Sequence, residues 1–149
     1  MRAAPCGVGH GEKLWEETRF CSALVGDLLF LRERNRDIGL GPYLEVGTAG
    51  FWDARFGGGA SLLLPVHDVF PLVVSFGVYD HELRAASLGA TVFWGARSYN
   101  FTSTYNWSLG IYASGFRDLE GRDTLLSMGV ELDGFFLAAP FIYGFQALR

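Results

Sequence analysis

The stretch TYNWSLGIYASGF, residues 104–116, alternates strictly: Tyr105, Trp107, Leu109, Ile111 and Ala113 form an apolar set, while Asn106, Ser108, Gly110, Tyr112 and Ser114 form a small or polar one. A two-residue period is that of a β-strand, whose successive side chains point to opposite faces. The pattern recurs. Over 38–51, Leu40, Pro42, Leu44, Val46 and Thr48 oppose Gly41, Tyr43, Glu45, Gly47 and Ala49; over 124–133, Leu126, Met128, Val130 and Leu132 oppose Ser127, Gly129, Glu131 and Asp133. Leu63 breaks the alternation of its own segment.

Runs of this kind bounded by turn residues predict eight strands, over 20–31, 38–51, 55–66, 70–79, 89–100, 104–116, 124–133 and 135–147. The links are too short to return a parallel strand through a helix, so the strands are expected to form an antiparallel up-and-down meander. HELRAASL (81–88) and RDLEGRD (117–123) are expected as its longer links. They follow the fourth and sixth predicted strands, whereas a membrane barrel with both ends on the periplasmic side carries its long links after odd strands. Residues 1–19 are expected to be a poorly ordered leader, and 20–149 a single domain. The run Gly57-Gly58-Gly59 lacks the Lys-Ser/Thr ending of a phosphate loop and reads as a bend or close approach within a strand.

Composition decides which face is wet. The chain has 149 residues, half of them hydrophobic, with 20 glycines and only 19% charged residues. Net charge is −4, and the basic cluster Arg32, Arg34 and Arg36 sits beside Glu33 and Asp37, which excludes a nucleic-acid surface. No apolar run reaches the roughly 20 residues of a membrane helix. Within the predicted strands the clearly interior charges are Asp27, Glu45, Arg55, Arg97, Glu131 and Asp133, too few for eight long strands facing water. A soluble carrier barrel turns its apolar faces inward around a cavity, whereas a membrane barrel turns them to lipid and keeps small and polar residues in its lumen. The scarcity of charge and the abundance of small residues favour the second arrangement.

The segments GPYLEVGTAG (41–50), YNWSLGIYASG (105–115) and LLSMGVELDGFFLAAPFIYGF (125–145) resemble the small eight-stranded barrels of bacterial outer membranes. The resemblance covers residues 20–148 as a pattern and contains no residue-specific signature. It implies an all-β, eight-stranded antiparallel transmembrane barrel in a bacterial outer membrane. Such a barrel has membrane lipid as its partner, a structural or interaction role, no wide pore and no cofactor. The chain departs from the pattern in three ways. MRAAPCGVGHGEKLWEETRF lacks the apolar core of an export signal, the sequence ends on Arg149 where an aromatic is usual, and the links are short.

Arg97 set between Glu45 and Glu131, with Asp27 and Asp133, is the expected polar network of the lumen. Trp52, Tyr99, Tyr105 and Trp107, near strand ends, are the expected interfacial aromatics. Trp94 falls nearer the middle of its strand. Two further functions compete: a soluble lipocalin-like barrel holding an apolar ligand, and a lipid-modifying barrel enzyme. The enzyme requires a nucleophile beside a base, but His10, His67 and His81 fall in the leader or turns, and the neighbours in His67-Asp68 and Asp80-His81 point to opposite faces. No catalytic centre, cofactor site or metal site is therefore assigned. Cys6 and Cys21 make no metal-ligand spacing and leave the redox compartment open.

Overall fold

The computed structural model describes residues 1–31, 36–50, 53–81, 85–96, 108–119 and 123–132. Its strands are β1 (Arg2–His10), β2 (Glu17–Asp27), β3 (Gly39–Ala49), β4 (Asp53–Leu64), β5 (Leu72–His81), β6 (Ala85–Ala96), β7 (Leu109–Asp118) and β8 (Asp123–Leu132). Each pairs antiparallel with its sequence neighbour, and β1 pairs with β8, which closes an eight-stranded up-and-down barrel. Closure removes the exposed edges an open sheet would present.

The strand count matches the expectation, but the set of strands is shifted by one. Residues 1–19 are not a loose leader: Arg2–His10 is β1, hydrogen-bonded on both sides, and 17–19 begin β2. The predicted strand 135–147 lies outside the described residues, and the barrel closes without it. β1 was hidden by its composition. RAAPCGVGH alternates, but between small residues, and Pro5, Gly7 and Gly9 are strand-weakening types. The β1–β8 ladder has no pairs at Ala4 and Pro5, resuming at Cys6↔Ser127, as expected where proline has no N–H to donate.

Counting β1 shortens the links after odd strands but does not bring the chain into line with the membrane-barrel pattern, whose long links follow odd strands. His81 and 85–88 of HELRAASL, and Arg117, Asp118 and Asp123 of RDLEGRD, are paired strand, so the links after odd strands are 11–16, 50–52, 82–84 and 119–122, all short. The longer links 28–38, 65–71 and 97–108 all follow even strands. The barrel therefore has one short-turn end and one long-link end.

The faces separate as the alternation predicts. Leu44, Val46, Phe56, Phe76, Ile111 and Met128 point outward, each between 47% and 71% exposed. Tyr43, Glu45, Ser61, Ser75, Thr91 and Ser127 point inward and are buried. Gly57-Gly58-Gly59 runs within β4, and at Gly57 an added Cβ would lie 2.0 Å from the Tyr79 ring of β5. Gly89 of β6 likewise makes room for Phe116 of β7, at 2.3 Å. The small residues of the inner face are thus the seats of its large rings.

Candidate functional site

Four charged side chains from four strands meet inside the barrel. Arg2 donates from Nε to Glu131 Oε2 at 2.7 Å and from NH1 to Glu45 Oε2 at 2.8 Å, while Arg55 NH2 donates to Glu45 Oε1 at 2.9 Å. All four residues are buried. Their order, Glu131–Arg2–Glu45–Arg55, alternates in sign and sums to zero, so attraction between neighbours offsets the loss of hydration. Rings complete the cage: the Arg55 guanidinium lies 4.0 Å from the Phe116 centroid, and that of Arg2 lies 5.1 Å from that of Tyr112. Nε and NH1 of Arg55 have no hydrogen-bond partner among the described residues, and the face of Phe116 supplies a cation–π contact there.

Hydroxyls satisfy one another around this centre. Ser61 and Ser75 bond across β4 and β5 at 2.7 Å, Ser114 and Ser127 across β7 and β8 at 2.6 Å, and the Tyr43 and Tyr79 hydroxyls bond to each other. Toward the long-link end the lumen is filled by Leu63, Val73, Phe93 and Tyr112, with Ala4 and Leu29. Leu63, the residue out of step in the sequence, is fully buried in this plug, which explains an apolar side chain on the polar face.

The short-turn mouth carries more charged side chains. A cavity of about 100 Å³ is bordered by Arg19, Asp53, Arg55, Asp118 and Asp123 among others. Arg19 spans Asp53 at 2.5 Å and Glu17 at 2.9 Å, and His10 Nδ1 lies 2.7 Å from Asp123 Oδ1 across the β1–β8 seam. Just inside, Cys6 and Cys21 form a disulfide, with Cα atoms 5.8 Å apart. It joins β1 to β2 diagonally, since Cys21 pairs with Ala4 and Cys6 with Arg19. Both sulfurs are consumed, and the cysteines carry no separate chemistry.

Of the residues expected in the lumen network, Glu45 and Glu131 are brought together, but by Arg2, a residue assigned from sequence to the leader. Arg97, expected in that bridging place, lies outside the described residues, as does Asp133. Asp27 points inward at the end of β2, half-buried. Arg55 completes the network. The expected interfacial aromatics Trp52, Tyr99, Tyr105 and Trp107 all lie outside the described residues. Trp94 points outward near the long-link end of β6 and packs against Phe70, with ring centroids 6.2 Å apart.

The histidine–aspartate neighbours diverge. His67 Nδ1 accepts the Val69 N–H at 3.3 Å, while Asp68 takes both Nε and NH2 of Arg36, at 2.8 and 3.0 Å. The Arg36 hydrogen bonds hold the Asp68 carboxyl below its ordinary value. This pair joins the links 28–38 and 65–71 at the long-link end. No group of three or more histidine, cysteine or acidic side chains suited to a metal ion occurs among the described residues. No protein-family model matches the chain, and neither a curated protein nor a solved structure matches it significantly.

Proposed function

We propose that the chain is an outer-membrane β-barrel that spans the bilayer and serves a structural or interaction role without a wide pore. The observation that carries this reading is the polarity of the wall. From β2 to β8 the outer face is built mainly of bulky apolar residues, and the outward charges on the described strands are Asp80 and Arg117, both close to the short-turn end. Water-facing sheets display many charges at such positions, and membrane barrels few.

Three further features support it. The strands are 9–12 residues long, as a tilted strand needs to cross hydrocarbon. The lumen is occupied by a neutral ion network and an apolar plug, the filling expected of a narrow eight-stranded barrel. A disulfide suits the oxidising bacterial envelope. A lipocalin-like carrier needs the opposite arrangement, with leucine, valine and phenylalanine gathered around a central cavity.

The test is detergent dependence. Refolded in detergent, the chain is expected to migrate faster unheated than boiled on an electrophoretic gel, and to be extracted from membranes by detergent alone. A chain that remains a soluble monomer without detergent or lipid would overturn the proposal.

A further inference from the structure

The remaining chemistry of the barrel lies on its outer wall. At the short-turn end of β7, Arg117 points outward, is exposed, and has no ion-pair or hydrogen-bond partner among the described residues. It pairs in register with Leu88 on one side and Thr124 on the other. Asp80, the other outward charge of the described strands, is two strands away on β5 and two residues nearer the turn, about 12 Å off at the usual strand spacing and rise. Among the described residues, Arg117 is thus the one outward cation of the strands, where the apolar band ends.

Beside it an open groove of about 390 Å³ runs along the wall between Phe76, Leu88 and Leu126, over Gly115, with Arg117 and Thr124 at its short-turn end. The floor is shallow because Gly115 has no side chain. A Cβ there would meet only Leu126 Cδ2, at 3.2 Å, so the space above it is open. An apolar trough ending at a guanidinium and a hydroxyl complements one kind of molecule: a hydrocarbon chain attached to a phosphate.

We infer that this wall binds an anionic phospholipid, its phosphate on Arg117 and one acyl chain in the groove over Gly115. The inference rests on the membrane reading proposed above. Arginine suits the phosphate because its planar fork offers paired donors, and at the band edge a charge is tolerated on a barrel's outer face.

The experiment uses the full chain refolded in detergent, with retention of added lipid followed by native mass spectrometry. The probes are phosphatidic acid, diacylglycerol with the same acyl chains, and inorganic phosphate alone. Wild type is expected to retain phosphatidic acid about fivefold more strongly than diacylglycerol, the worth of one arginine at a phosphate-bearing surface. Arg117→Gln should bring that ratio to about one, and Gly115→Leu should reduce retention of both lipids by filling the groove. Arg117 is exposed, so its variant keeps the heat-modifiable gel shift as proof of folding. Equal retention of the two lipids by wild type, or an undiminished preference in Arg117→Gln, overturns the inference. Displacement of phosphatidic acid by inorganic phosphate at equal concentration also overturns it, by assigning Arg117 to a free anion. A wild-type chain that is monomeric without detergent defeats the membrane reading as well, whereas a detergent-requiring barrel with no phosphate preference defeats this inference alone.

Discussion

Replacing Arg2 by methionine keeps most of the side chain's length and removes its guanidinium from the centre of the lumen. Two ion pairs disappear, at 2.7 and 2.8 Å, and the four-residue network is left with Glu45 and Glu131 against Arg55 alone. If the lumen is dry, the uncompensated carboxylate makes the loss about 3–5 kcal/mol; if water reached these groups, each pair would be worth at most about 1 kcal/mol. Magnitude therefore reports the environment. The assay is equilibrium unfolding by guanidinium in lipid vesicles, followed by tryptophan emission, with the slope checked for constancy. Pairing Arg2→Met with Glu131→Gln restores one carboxylate to one guanidinium and should recover more than half of the loss. A single variant within about 1 kcal/mol of wild type, or a double variant as unstable as the two single losses added, would refute the reasoning.

Three other outcomes follow from the same structure. Reducing the Cys6–Cys21 bond, or changing both residues to serine, should lower stability by about 3 kcal/mol, the value for a bridge closing a loop of about 15 residues, and an unfolding midpoint unchanged by reductant contradicts this. Gly57→Ala places a methyl group 2.0 Å from the Tyr79 ring and should destabilise the barrel by about 1–3 kcal/mol, whereas the same substitution made in a Tyr79→Ser background should cost less in the same unfolding assay. The Arg36–Asp68 tie lowers the Asp68 pKa, so its contribution is complete above the ordinary carboxylate value and is lost as pH falls through the lowered one. Carboxyl NMR titration should find Asp68 returned to the ordinary range in Arg36→Gln, and identical titration in both proteins would remove the tie.

The wall was legible in the sequence, and the lumen was legible only by residue type. Leu44, Val46, Ile111 and Met128 announce the outer face because bulky apolar residues alternate there with glycine, serine and glutamate, and one misplaced step would reverse every one of them. β1 was not legible, because Ala3, Ala4, Gly7 and Gly9 give alternation without hydrophobic contrast. Two consequences were lost with it. The cation between Glu45 and Glu131 depends on barrel closure, which brings Arg2 opposite Glu131 across almost the whole chain. The disulfide depends on a diagonal register that exists only once Arg2–His10 is a strand. Leu63 shows the converse: its break in pattern marks the plug, where the inner face turns apolar.

Whether the greasy wall meets hydrocarbon can be measured at Leu44, midway along β3 and 70% exposed. A cysteine placed there and labelled with a fluorophore, in protein refolded into vesicles, should be quenched by lipids brominated on their acyl chains and shielded from aqueous iodide. A label at Ser61, inside the barrel, should not respond to the brominated chains. Iodide quenching at Leu44 with no effect of brominated lipid would contradict the account.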